Sequence, residues 1–279
     1  MPLDFRYHLA SLTAVFGALL IGILVGVAMK EGPAFSRQIT QLRAEFKRSE
    51  SLREIDAHTD RFNTRMERAL VRGRLLGRNV ALVVDAAAFP AEQVEAVEGT
   101  LRQSGATVVT TITLKPSLLQ LTSEQLAAVY LKLGTAMPAK AGPGELVTRL
   151  AADLGVGQTT IARVLHEKKL IRVEGNPALP LSTVVLLGGG APKAIDGSVQ
   201  RVDLPFLRGC GGRQLRLAAV EPFDIELSAI SAYKNAANVT IDNIDRAAGR
   251  IALVLALSRD LRGDFGYKKT ADDVAPEVE

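Results

Sequence analysis

The sequence predicts an α/β chain in three parts: a single N-terminal transmembrane helix, a coiled-coil helix, and a doubly wound, mainly parallel, Rossmann-like sheet domain. Three observations predict it. Leu9 to Met29 contains no charged residue, and about 20 apolar residues cross the hydrocarbon of a bilayer. Phe35 to Leu76 contains no proline, and no glycine before Gly73, while apolar or small residues recur every three or four positions. Beyond Arg78, short β-branched runs alternate with helical stretches, the pattern of a parallel sheet with crossover helices. The expected divisions are an N-terminal tail over 1–8, the anchor over 9–29, the coiled-coil helix over 32–77, the α/β domain over 78–265 and a polar tail over 266–279.

The first segment has three readings. A buried soluble helix seldom runs this long without a polar face, and a cleavable signal has an apolar run of only about 7 to 15 residues. Retention as an anchor is therefore the expectation, although Gly26-Val27-Ala28 has the small-x-small form of a cleavage site. Ala14, Ala18, Gly22 and Gly26 stack at every fourth position. Such a face suits close helix packing, though small residues are also common in spanning helices.

The second segment carries a seam of Phe35, Ile39, Leu42, Phe46, Ser49, Leu52, Ile55, Thr59, Phe62, Met66 and Ala69, a heptad pattern with one stammer near Leu52. Self-association through this coiled coil is expected. The alternative is a helix packed on its own chain's domain.

The third segment opens with Val80–Val84, a continuous apolar run too short for a helix and β-branched enough for a buried strand. Pro90 then starts a helix to Ser104, Gly105 closes it, and Thr107–Thr113 reads as the next strand, completing a βαβ unit. Helices are expected over 122–133, 144–154 and 159–168, and strands over 183–187 and 215–220. Asp245 reads as the N-cap of a strongly apolar closing helix.

Composition narrows the function classes. With 47% hydrophobic residues, the roughly 250 residues after the anchor can bury one good core. Net charge is +4, and Lys30, Arg37, Arg43, Lys47 and Arg48 concentrate positive charge just after the anchor, which suits anionic lipid better than nucleic acid. The absence of Trp leaves little for an aromatic nucleic-acid platform. One cysteine, Cys210, excludes an intramolecular disulfide.

Candidate chemistry is sparse. Gly188, Gly189 and Gly190 follow a predicted strand, but the run is neither a dinucleotide nor a P-loop fingerprint and Pro192 deletes a donor, so a strand-end turn is expected. Asp242, Asn243 and Asp245 could hold a hard cation, yet no further carboxylate follows at loop-ligand spacing; turn and cap roles are expected. Asp85 ends the first strand and reads as a turn residue. His8, His58 and His166 fall in separate regions, and Cys210, Met1, Met29, Met66 and Met137 are scattered, so no copper site is visible. No cofactor and no enzymatic activity are expected.

Two stretches carry a resemblance. "FRYHLASLTAVFGALLIGILVG" and "VTIDNIDRAAGRIALVLALSRDLRGDFG" resemble the amino- and carboxyl-terminal signatures of the bacterial MctB-type copper transporter family. The resemblance implies a membrane protein tied to copper homeostasis. It also implies, through actinobacterial relatives, a scaffold for cell separation beside a membrane partner with a thiamin-pyrophosphokinase-like domain. It supplies no catalytic residues. A short amino tail before the anchor, with the family, places the domain outside the cytoplasmic membrane. Lys30, Arg37 and Arg43 against Arg6 point the other way under the positive-inside rule, which long domains often escape.

Overall fold

The computed structural model describes residues 5–30, 33–86, 88–189, 197–211, 215–225 and 227–277, with side chains at 12–26 in the first helix and from 45 onward in the second. The chain divides into two compact units, Met1–Thr59 and Asp60–Glu279. The first contains α1 (Phe5–Lys30) and the greater part of α2 (Pro33–Val71), each continuous. Among the described residues no helix is long and apolar enough to cross a membrane. Both ends of the expected 9–29 anchor fall outside the described side chains; those at 12–26 are all exposed in the single chain.

The second unit is a seven-stranded sheet, β3-β2-β1-β4-β5-β6-β7 in spatial order. Its strands are β1 (Asn79–Asp85), β2 (Thr107–Leu114), β3 (Ile171–Gly175), β4 (Thr183–Leu187), β5 (Arg216–Val220), β6 (Val239–Ile241) and β7 (Gly263–Phe265). All neighbours pair in parallel except β2 with β3. β1 and β4 are apolar on both faces because both are covered: every residue of β4 is buried. On one face lie α4 (Ser123–Leu133), α5 (Pro143–Leu154), α6 (Thr160–Glu167), α7 (Leu204–Cys210) and α8 (Ile230–Tyr233). On the other lie α3 (Ala91–Gln103), α9 (Ala247–Ser258), and the end of α2 with the turn after it, through Val71 and Leu75.

Local chemistry sets the boundaries. Thr122 caps α4 in a reciprocal box with Gln125, and Gly134 ends that helix in the left-handed conformation. The expected strands and helices are present to within one or two residues. Asp245 is a correction: the residue before α9 is Arg246, without a side-chain cap, and the Asp245 carboxylate instead accepts the Phe223 N–H at 2.7 Å. The segment expected as a polar tail is packed. Phe265 bridges to Asp273, Pro276 is buried, and the Gly266 N–H donates to the Asp273 carbonyl.

The end of α2 is held by charge as well as by Val71. Arg250 of α9 forks onto Glu67, Nε to Oε1 at 2.8 Å and Nη2 to Oε2 at 2.9 Å, while the Thr100 hydroxyl of α3 donates to the same carboxylate. Both side chains are only about a tenth exposed, 11% and 10%. Arg250→Met should therefore destabilise the full chain by about 3 kcal/mol in urea denaturation, because it strands a buried carboxylate. The double variant with Glu67→Met should lose less than the sum of the two single changes.

Candidate functional site

Buried acids gather at the carboxyl ends of the central strands, where doubly wound sheets place their ligands. Asp85 ends β1, Asp203 precedes α7, Glu221 follows β5 and Asp242 follows β6; their exposures are 4%, 0%, 0% and 1%. Each has a different environment.

The Asp203 carboxylate receives the Tyr233 hydroxyl at 2.5 Å and the Gly189 N–H at 3.2 Å, both on Oδ2, while Oδ1 has no hydrogen-bond partner among the described residues. Burial, then the charge of Asp85, push its pKa up to about 7. Burial, then the charge of Asp203, hold the Tyr233 hydroxyl well above its usual range, so it serves as a donor. Gly188 makes room for the pair: a Cβ there would stand 2.7 Å from Asp203 Oδ2 and 2.8 Å from the tyrosine oxygen. Gly189 has φ +81°, which a side chain would strain, and a Cβ would press on Glu221. The strand-end turn expected at Gly188 and Gly189 is thus a lining for carboxylates; Gly190 and Pro192 lie outside the described residues.

Glu221 and Asp242 are satisfied by this chain. Ser228 Oγ and the Ala229 N–H donate to Glu221 at 2.6 and 2.7 Å, and Lys268 Nζ pairs with it at 2.7 Å. Asp242 accepts the Tyr267 and Lys268 N–H groups at 2.7 and 2.8 Å. Arg246 lies over the rings of Phe223 and Tyr267, at 4.7 and 6.0 Å. Gly249 allows α9 to touch the Asn243 backbone, which a Cβ would overlap. The stretch carrying Asp242, Asn243 and Asp245 is therefore a structural node, in keeping with turn chemistry. Sequence reasoning missed Asp203, Glu221, Tyr233 and Lys268, which come from four separate segments with no shared spacing.

The remaining candidates do not converge. Cys210 is buried in α7, the His166 Nδ1 accepts the Val173 N–H at 3.3 Å, Met137 is 45% exposed and His58 is exposed. The side chains of Met1, His8 and Met29 lie outside the described residues. Among the described residues no three His, Cys, Asp or Glu gather into a group that could hold a metal. On α1, Ala14, Ala18, Gly22 and Gly26 are exposed, and nothing lies within 4 Å of where a Cβ would stand on either glycine. On α2, Phe35, Ile39 and Leu42 fall outside the described side chains, while Phe46, Ile55, Phe62 and Met66 are 75%, 61%, 62% and 37% exposed. The helix end packs on its own domain through Glu67 and Val71, a face offset from Phe62 and Met66.

The family model described as copper transport outer membrane protein, MctB, matches residues 3–276. No curated protein matches the chain.

The raised pKa of Asp203 has a definite sign. Between its ordinary value of 3.8 and about 7 the folded chain binds the proton that the unfolded chain releases, so this group's contribution to stability falls as pH rises through that window. Asp203→Asn should match wild type at pH 4, exceed it at pH 8, and flatten that part of the stability-against-pH curve in urea melts.

Proposed function

The chain belongs to the MctB family of copper transport outer membrane proteins, and from that premise we propose that it serves copper homeostasis as a single-pass, non-catalytic membrane protein assembled through α2. The family match over nearly the whole chain carries this reading. Support for a helical anchor comes from the uncharged run Leu9–Met29 inside the continuous helix Phe5–Lys30. The described sheet is open, mostly parallel and covered by helices, unlike the closed antiparallel barrels that span outer membranes. We therefore place the anchor in the cytoplasmic membrane and the α/β domain outside it.

Copper enters this reading as cargo of the system. Tight copper(I) binding wants two or three soft ligands converging on one ion, and Cys210, His166 and Met137 show no such convergence. The contribution to copper handling is then made through assembly and partners. One anchor cannot line a pore, so any channel requires self-association, for which the exposed seam of α2 and the small-residue face of α1 are the available surfaces.

Phe46→Glu with Phe62→Glu should convert the full chain in detergent from an oligomer to a monomer by sedimentation; a monomeric wild type would refute assembly through α2. A deletion strain should be copper-sensitive and be rescued by wild type but not by the Phe46/Phe62 double variant. Chained, unseparated cells at ordinary copper, with normal copper tolerance, would favour the second reading, an envelope scaffold for cell separation that uses the same seam.

A further inference from the structure

Beside α3 and the outer strands β2 and β3 the second unit contains a cavity of about 460 Å³, within the range of small-ligand sites. Its origin lies in strand alternation. Ile112, Leu114 and Ile171 belong to the core under α4–α6, so Thr111, Thr113, Arg172 and Glu174 face the other side. There α3 covers β1 and β2 and leaves the face of β3 open.

The lining combines an apolar floor with five charged side chains, of which two, opposite in sign, have no ion pair among the described residues. Val84, Phe89 and Val94 form the floor. Arg172 is paired with Glu174, and Glu98 with Arg102. Lys115 and Glu95 make no ion pair or side-chain hydrogen bond among the described residues. The Ala86 N–H bonds the Leu114 carbonyl at 3.0 Å, which sets Lys115 beside the segment leading into α3. The first residue of that helix, Ala91, also lines the cavity, so its positive end adds to the lysine charge. Glu95 stands four residues further along α3, a rise of about 6 Å. This end of the cavity is at the carboxyl ends of β1 and β2, the usual ligand side of such a sheet.

The geometry points to a binding site for a short zwitterionic peptide, with its carboxylate at Lys115 and the start of α3, its ammonium at Glu95, and apolar side chains on Val84, Phe89 and Val94. The rise of about 6 Å from the start of α3 to Glu95 suits the backbone of a di- or tripeptide. A single amino acid, with both charges on one carbon, spans less than that rise.

The probe is the tripeptide Ala-Leu-Ala, titrated by calorimetry into the full chain in detergent, beside its acetylated and amidated form. The free peptide should bind saturably. Lys115→Met and Glu95→Gln should each weaken it about tenfold while keeping the wild-type melting temperature, since among the described residues neither side chain has an ion pair or side-chain hydrogen bond to lose. The capped peptide should bind at least tenfold more weakly than the free one and be indifferent to both substitutions. No saturation at millimolar peptide, equal binding of the capped form, or unchanged affinity in the Lys115 variant would each overturn the proposal.

Discussion

Glu67 and Arg250 are 183 positions apart in the chain and meet through two parallel charge-assisted hydrogen bonds with little water around them. Neither charge can stay buried without the other, so the end of α2 and the start of α9 must come together for either to fold. α3 joins them through the Thr100 hydroxyl on Glu67, and the turn after β6 joins through the Asp245 carbonyl, which accepts Arg250 Nη1 at 3.0 Å. From that point the rest of the node follows. Asp242 grips Tyr267 and Lys268, Asp245 grips Phe223, and Gly249 lets α9 approach Asn243. Asp242 and Asp245, the two carboxylates that look in sequence like part of a cation loop, are thus spent on backbone N–H groups.

The α/β frame was legible because its signals are local. Val80–Val84 and Thr183–Leu187 are continuous β-branched runs, and α4 announces itself by Thr122, Gln125 and Gly134. β3 was not legible: Ile171–Gly175 is a short edge strand with one fully buried residue and alternating charge, and its antiparallel pairing depends on where the preceding helices set it down. β6 and β7, three residues each, are too short to show a period. The role of Asp245 was misread because a cap and a tertiary acceptor are the same residue type at the same position, and only the Phe223 N–H distinguishes them.

The acidic strand ends were the least legible part. Asp85 could be placed at the end of its strand, but Asp203, Glu221 and Tyr233 acquire meaning only through burial and through one another. Their arrangement splits in two. Around Glu221 and Asp242 every charge has a partner from the chain itself, including the Lys268 ammonium. Around Asp203 an acid stands near another acid with a tyrosine hydroxyl, and the group retains its proton close to neutrality.

The packed closing segment, which supplies β7 and Lys268, also governs when the fold can be completed. β7 pairs with β6, Lys268 neutralises Glu221, and Arg250 answers Glu67, so the groups that complete the second unit all lie in its last thirty or so residues. A ribosome adds residues from the amino end at about 5–20 per second. The earlier strands therefore emerge several seconds before the partners their buried charges need. During that interval the second unit cannot complete these pairings, and it closes only once its final segment has been made.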